Sequence, residues 1–248
     1  KQLDPLLKNR ETKMARQLLN RAIDPKLVVY LSLRADKYDT YSKDFLDRHP
    51  QAVIVNIGCG MDTRFFRVDN GSAHFFDLDL PNMIEFKRKL LGERERYTMI
   101  PQSVLDLRWM DQIAKHNQPT LFLAEGLFMY LEKEGVKKVI MELQQKFPES
   151  ELVCEVTNRL WVEGFWGKLA SMKMKGRVKM GSGSEFKSGI ETPKELETWG
   201  DGIEFKEQWF YMQENHPKLG WMRMFRNMEI FRNTQYTVHY VLHGISAA

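Results

Sequence analysis

A glycine turn and a strand-ending carboxylate carry the clearest chemistry in this chain. The apolar run Val53-Ile-Val-Asn-Ile57 stops at Gly58-Cys-Gly60 and continues Met61-Asp-Thr-Arg64. Such a run of β-formers reads as a buried strand. Glycines at its end let backbone pass close to a bound group that a side chain would block. Nineteen residues after Gly60, a second strand, His74-Phe-Phe-Asp-Leu-Asp79, ends on an acid. A glycine turn after one strand and a carboxylate ending the next is how α/β folds hold a nucleoside: the glycines admit it and the acid accepts both ribose hydroxyls. The loop reads Gly-Cys-Gly-Met-Asp-Thr, without a third glycine, and no helix start is clearly aimed at a pyrophosphate. That favours S-adenosylmethionine, which has no phosphate, over NAD or FAD. Two readings compete: a tight turn in a ligand-free α/β domain, and Asp77, on the same strand face as Asp79, in the ribose role.

The elements around these residues alternate. Strands are expected at 53–57, 73–78, 97–100, 120–124 and 151–156, and helices at 11–46, 81–91, 109–114 and 133–147. Alternation of this kind means right-handed crossovers and a parallel sheet. Pro50 stops the first helix, and Pro81 suits the first turn of the next long one. After Val156 the pattern changes: residues 158–187 are rich in Trp, Met, Gly and Lys, punctuated by Gly181-Ser-Gly-Ser184. They read as a helical cap. A short helix at 195–199, a strand at 203–210, a helix at 217–225 and a strand at 235–243 follow, ending the sheet in antiparallel fashion. The expected fold is thus α/β and Rossmann-like: seven strands, mostly parallel with an antiparallel last strand, plus the cap. One domain spans 1–248, with a helical support or lid (1–50), a cofactor-binding core (51–157), the cap (158–192) and a completion of the sheet (193–248).

Composition bounds the rest. At 248 residues and 43% hydrophobic, the chain suits one domain with a real core. No apolar run approaches the roughly 20 residues of a membrane span, and Lys1-Gln-Leu-Asp-Pro-Leu-Leu-Lys8 lacks the apolar stretch of a signal peptide. Two cysteines, Cys59 and Cys154, make no disulfide framework, so a cytoplasmic protein with reduced thiols is expected. A net charge of +4 is too small to argue for nucleic acid, and no Cys/His cluster suggests a metal.

The pattern resembles the class I S-adenosylmethionine-dependent methyltransferases. More narrowly, it is similar to the leucine carboxyl methyltransferase family, in the bacterial branch typified by the tetracenomycin polyketide carboxyl O-methyltransferase. The resemblance rests on Ser32-Leu-Arg-Ala-Asp-Lys-Tyr-Asp39, Asn56-Ile-Gly-Cys-Gly-Met-Asp-Thr-Arg-Phe-Phe66, Phe76-Asp-Leu-Asp-Leu-Pro81 and Ser103-Val-Leu-Asp-Leu107. It continues through Leu123-Ala-Glu-Gly-Leu-Phe-Met-Tyr-Leu131, Phe186-Lys-Ser-Gly-Ile190 and Thr198-Trp-Gly200. Each motif is weak; their order and spacing are specific. The stretch before Leu27 is shorter than the family's N-terminal region, which helps close the active site.

The resemblance implies a role for each matching residue. Gly58 and Gly60 lie against the methionine part of the cofactor, and Asp79 takes the ribose hydroxyls. Asp106 and Leu107 hold the adenine, and Glu125 meets the amino-acid end. Arg34 reaches a carboxylate of the cofactor or the substrate, and Tyr130 points its hydroxyl toward the methyl acceptor.

Structural readings stand beside these. Asp62 and Arg64 suit a surface salt bridge. Asp106 suits a helix N-cap, and Tyr130 suits the core. Glu125 ends an apolar strand and needs a partner if buried, as does Arg34 within an apolar helix. In the cap, Lys168, Lys173, Lys175, Arg177, Lys179 and Lys187 face only Glu163 and Glu185. With interleaved aromatics and methionines they suit a flat organic acid, or simply a solvated helix. A carboxylate acceptor is already ionised and needs positioning rather than a base, whereas a hydroxyl needs a base near its proton. No histidine falls in a matched motif, although folding can bring in His216 or His74. The expected reaction is transfer of a methyl group to the carboxylate of a small organic acid, leaving S-adenosylhomocysteine. The alternatives are a phenolic hydroxyl acceptor and a non-catalytic cofactor-binding protein. Oligomeric state is left open.

Overall fold

The computed structural model describes residues 25–162, 186–213 and 234–244. Its helices are α1 (Pro25–Arg48), α2 (Phe65–Val68), α3 (Pro81–Leu91), α4 (Met110–Ala114) and α5 (Lys133–Lys146). Its strands are β1 (Val53–Ile57), β2 (His74–Asp79), β3 (Tyr97–Pro101), β4 (Thr120–Ala124), β5 (Ser150–Thr157), β6 (Ile203–Trp209) and β7 (Gln235–Leu242). These strands form one sheet in the order β3-β2-β1-β4-β5-β7-β6. The first five run parallel, and β7 runs antiparallel to both β5 and β6.

The sheet is covered on both faces, so its central strands read as continuous apolar runs rather than alternating ones. Along β1, Val53, Val55 and Ile57 join the cluster with Trp109, Met110, Val139 and Leu143 from the α4 and α5 side. Ile54 turns the other way, to Tyr38 and Phe45 of α1 and Phe65 of α2. Each such aliphatic side chain, fully buried, contributes about 1.5–3 kcal/mol. Pro81 occupies the first turn of α3, where a missing N–H leaves nothing unpaired.

The expected elements fall close to the observed ones, with local differences. The helix at 109–114 is preceded by a 3-10 turn, Leu107–Trp109, capped by Asp106. The short helix at 195–199 is a 3-10 turn, Glu195–Thr198. The helix at 217–225, residues 163–185 of the cap and residues 11–24 of the first helix lie outside the described residues. What positions the site is the strand order. Sequence neighbours β3-β2-β1 run one way from the centre and β4-β5 the other, so the C-terminal ends of β1 and β4 flank the crevice where α/β sheets take ligands.

Candidate cofactor and acceptor site

The loops leaving β1, β2, β3 and β4 converge at that edge. Gly58 and Gly60 both adopt left-handed backbone, with φ of +67° and +48°. A Cβ at Gly58 would meet the Leu127 side chain at 2.9 Å, whereas one at Gly60 would meet no described atom within 4 Å. Gly60 therefore offers bare backbone to the crevice. Its N–H donates to Asp79 Oδ2 at 2.7 Å, and Leu80 N donates to Oδ1 at 2.7 Å. Asp79 thus ties the two loops together and keeps a further lone pair on each oxygen for a ribose. A glycine floor beside a rim carboxylate fits a nucleoside-bearing cofactor.

Asp77 is placed differently from its rival. It is buried, and its carboxylate lies 2.6 Å from Lys87 Nζ and accepts from the Tyr97 hydroxyl at 2.5 Å. Lys87, on α3, is itself fully buried. Burial tends to neutralise this lysine, but the attraction of Asp77 outweighs it and raises its pKa. Burial, followed by the charge of Asp77, pushes the Cys59 thiol far up, so it stays protonated beneath the turn.

A chain of ion pairs crosses the switch point. Arg34 Nε donates to Glu125 Oε1 at 2.7 Å, and Arg34 Nη1 donates to Glu155 Oε2 at 2.6 Å. Arg64 Nη2 takes the other oxygen of Glu125 at 2.7 Å, while its Nε donates to Asp39 at 3.1 Å. Arg67 joins Asp39 to Asp62 at 2.8 and 2.9 Å. The pairing of Asp62 and Arg64, read from the sequence as a surface bridge, is instead internal: they stand 2.9 Å apart with the Arg64 side chain 2% exposed. The reason is Asn56, which accepts from Arg64 and donates to Asp62, drawing both against β1. Arg34 meets its need for anions within the protein, and Glu125 meets its need for a cation twice over.

The remaining candidates sit at the same edge. Asp106 caps its 3-10 turn and pairs with Arg108, whose Nε lies 2.8 Å away. That hydrogen bond is the main force holding its carboxyl low, at about 2. Leu107 packs against the core from the loop side. Tyr130 ends the 3-10 turn Phe128–Tyr130, half-buried beside the Phe186 ring at 5.5 Å. Burial, then the charge of Glu155, raises its pKa, so the hydroxyl keeps its proton. Two motifs distant in sequence meet here, because Lys187 N and Ser188 Oγ donate to Met129 O and Phe128 O at 2.7 Å each.

His74 lies at the opposite end of β2, its ring 4.5 Å from that of His116; His216 is outside the described residues. Among the cap's basic residues, Lys187 is described and pairs with Glu132 at 3.0 Å. No group of described His, Cys, Asp and Glu residues could hold a metal ion, and no described helix is long and apolar enough to cross a membrane. Sequence reasoning assigned no role to Asp39 or Glu155. For Glu155 the signal was present, since an acid inside the apolar run Leu152-Val-Cys-Glu-Val156 must have a partner once buried. Asp39, among the polar residues of Ala35-Asp-Lys-Tyr-Asp-Thr-Tyr-Ser42, carried none.

A sheet of this order, with a glycine turn after β1 and an acid ending β2, defines the Rossmann-like class I methyltransferase fold. Magnesium protoporphyrin IX methyltransferase from Synechocystis PCC 6803, solved with bound S-adenosylhomocysteine, aligns over 97% of this chain and 98% of its own at a TM-score of 0.56 and 9% identity. N-methyltransferase NodS from Bradyrhizobium japonicum WM9 aligns over 86% of this chain and 97% of its own, at 0.51 and 11%. At such identities the likeness is one of fold alone. The family model for leucine carboxyl methyltransferase matches residues 3–144, so the chain belongs to that family. Its cofactor is S-adenosyl-L-methionine. The tetracenomycin polyketide synthesis O-methyltransferase TcmP of Streptomyces glaucescens is 31% identical over 180 residues, 72% of this chain and 63% of the relative. The S-adenosyl-L-methionine-dependent methyltransferase dpfgK of Gibberella zeae is 26% identical over 214 residues, 83% of this chain and 71% of the relative. The chain thus spans 63% of the length of the Streptomyces relative.

Proposed function

We propose that this chain methylates a carboxylate oxygen of a small organic acid. When bound, S-adenosylmethionine supplies a methyl group made electrophilic by its sulfonium. Gly58, Gly60 and Asp79 would hold its methionine and ribose parts, Asp106 and Leu107 its adenine, and Glu125 its ammonium end. Arg34 and Tyr130 then orient the acceptor. Arg34 keeps N–H groups beyond those given to Glu125 and Glu155, and a carboxylate is the natural partner for a guanidinium edge. Tyr130, protonated, donates one further hydrogen bond.

The observation that carries this reading is what surrounds Arg34. Its neighbours are tyrosine hydroxyls and carboxylates already paired with guanidinium groups, and the described histidines lie elsewhere: His239 beside Glu151, His243 beside Glu149 and Glu204, His74 against His116, His49 against Phe45. An acceptor that must lose a proton would want a base near it; an ionised acid wants only orientation and removal of water. The test is a screen of aromatic and polyketide-like acids with methyl-labelled cofactor. Label that mild alkali releases as methanol marks an ester. A stable ether would replace this reading with the hydroxyl one, and binding without any turnover would leave a cofactor-binding protein.

A further inference from the structure

Glu155 belongs to none of the motifs read from the sequence, yet it lies at the closed end of the ion-pair chain. Its side chain is 0% exposed, while those of Arg34 and Glu125 are each 16% exposed. The Arg34 side chain thus keeps some exposure while its partner Glu155 keeps none. Glu155 Oε2 accepts from Arg34 Nη1, and Glu155 Oε1 accepts from the Tyr211 hydroxyl. The Tyr211 ring is lodged between Tyr30 and Trp209, with centroids 5.4 and 5.1 Å away.

Of the two carboxylates that flank Arg34, Glu155 stands in β5 and Glu125 one residue past the end of β4, and these strands are parallel neighbours in which Ala124 pairs with Cys154. The carboxylates grip different nitrogens, Nε and Nη1. One carboxylate alone leaves a guanidinium free to turn about its last bonds; two on separate nitrogens define its plane. The floor is Gly126, where a Cβ would stand 3.3 Å from Arg34 Nη1 and 3.4 Å from both Nη2 and Glu155 Oε2. A buried carboxylate is costly unless it is paired and hydrogen-bonded, and burial does push the Glu155 pKa up against the pull of Arg34. Well-packed apolar side chains in place of a buried ion pair often keep or raise stability, so the pair's contribution to stability alone is small.

We propose that Glu155, itself held by Tyr211, is a positioning residue for Arg34, aiming the remaining edge of the guanidinium at the methyl acceptor. This rests on the reading of Arg34 as the acceptor's partner. Glu155 does not touch the reacting atoms; it acts through Arg34.

The test compares the whole 248-residue chain with its Glu155→Gln and Tyr211→Phe variants. Arg34 is observed directly by NMR of isotope-labelled side-chain nitrogen, its signals identified by their loss in Arg34→Lys. Wild type should show two distinct Nη signals, the mark of a guanidinium that does not rotate. In Glu155→Gln they should merge, and in Tyr211→Phe they should broaden. With benzoate as the probe acid, turnover should fall roughly 10- to 100-fold in Glu155→Gln, the scale of a misaimed contact. Affinity for S-adenosylhomocysteine should stay within about threefold. Unchanged Nη signals in Glu155→Gln would overturn the proposal. So would a loss of cofactor affinity and melting temperature that matches the loss of turnover, which would make Glu155 a stabilising residue only. If neither benzoate nor any screened acid is methylated by the wild type, the acid reading fails by itself, and the Nη comparison still upholds or overturns the hold of Glu155 on Arg34.

Discussion

Arg64 Nη2 donates to Glu125 Oε2 across 2.7 Å, joining the loop after β1 to the end of β4. Those two strand ends flank the switch point, so this bond ties together the two sides of the crevice there. Arg64 also holds Asp39 of α1 and Asn56 of β1, and its side chain is almost sealed from solvent. One guanidinium thus links three elements by charge-assisted bonds.

Replacing Arg64 by methionine should destabilise the fold by about 2–4 kcal/mol, because Glu125, Asp39 and Asp62 each lose one of two cations in a largely buried setting. Arg64→Lys should recover only part of that, since an ammonium cannot fork between Glu125 and Asp39. Urea unfolding of the two variants measures both. A loss below about 1 kcal/mol in the methionine variant would match an exposed pair and contradict the buried geometry.

Asp79 and Asp77 should separate cleanly. Asp79→Ala should weaken S-adenosylhomocysteine binding by roughly 1.5–3 kcal/mol, the scale for hydrogen bonds to a charged group, as read by calorimetry. Asp77→Asn should instead lower the melting temperature while leaving that affinity nearly intact. The opposite pattern would return the ribose role to Asp77.

The Lys87–Asp77 pair offers a second stability test. Lys87→Met strands a buried carboxylate and should cost about 3–5 kcal/mol. The double change Lys87→Met with Asp77→Leu should be milder than the single one, because both charges leave together. A double variant at least as unstable as Lys87→Met would show that packing, not charge, dominates there.

Glu151 governs an acid-sensitive corner. Burial alone would raise its carboxyl pKa, but His239 Nε2 at 2.8 Å and Arg48 Nη1 at 2.7 Å outweigh it and hold the value down at about 2. The ordinary value is 4.5. Between these two the unfolded chain binds a proton that the folded chain refuses, so stability rises with pH across that window. The contribution is complete above the upper limit and lost below the lower one. Its size is roughly 2 kcal/mol, discounted because Arg48 is half exposed. Urea midpoints measured through this range should rise less steeply with pH in Glu151→Gln than in wild type. Equal slopes would remove Glu151 from the account.

Methyl transfer to an acid should run at a rate nearly flat from mildly acidic to mildly basic pH, because a carboxylate titrates at about 4. A steep rise through neutrality on the physiological acceptor would point to a proton leaving a hydroxyl.

Local information in the chain determined the frame. The apolar runs of β1 and β4, the glycines that only a left-handed turn requires, and the acid ending β2 each depend on a few adjacent residues. Backbone sterics and strand periodicity act over just that distance, so the sheet and the cofactor class were legible. The tertiary structure decided which charges meet. Nothing near Asp77 in sequence announces Lys87 and Tyr97, and nothing near Arg34 announces Glu155, 121 positions away. Asp62 and Arg64 looked like surface residues until Asn56, Asp39 and Glu125 closed around them. Ion pairs form between side chains brought together from different elements, and burial sets their strength. Both depend on how helices and strands pack rather than on any single segment.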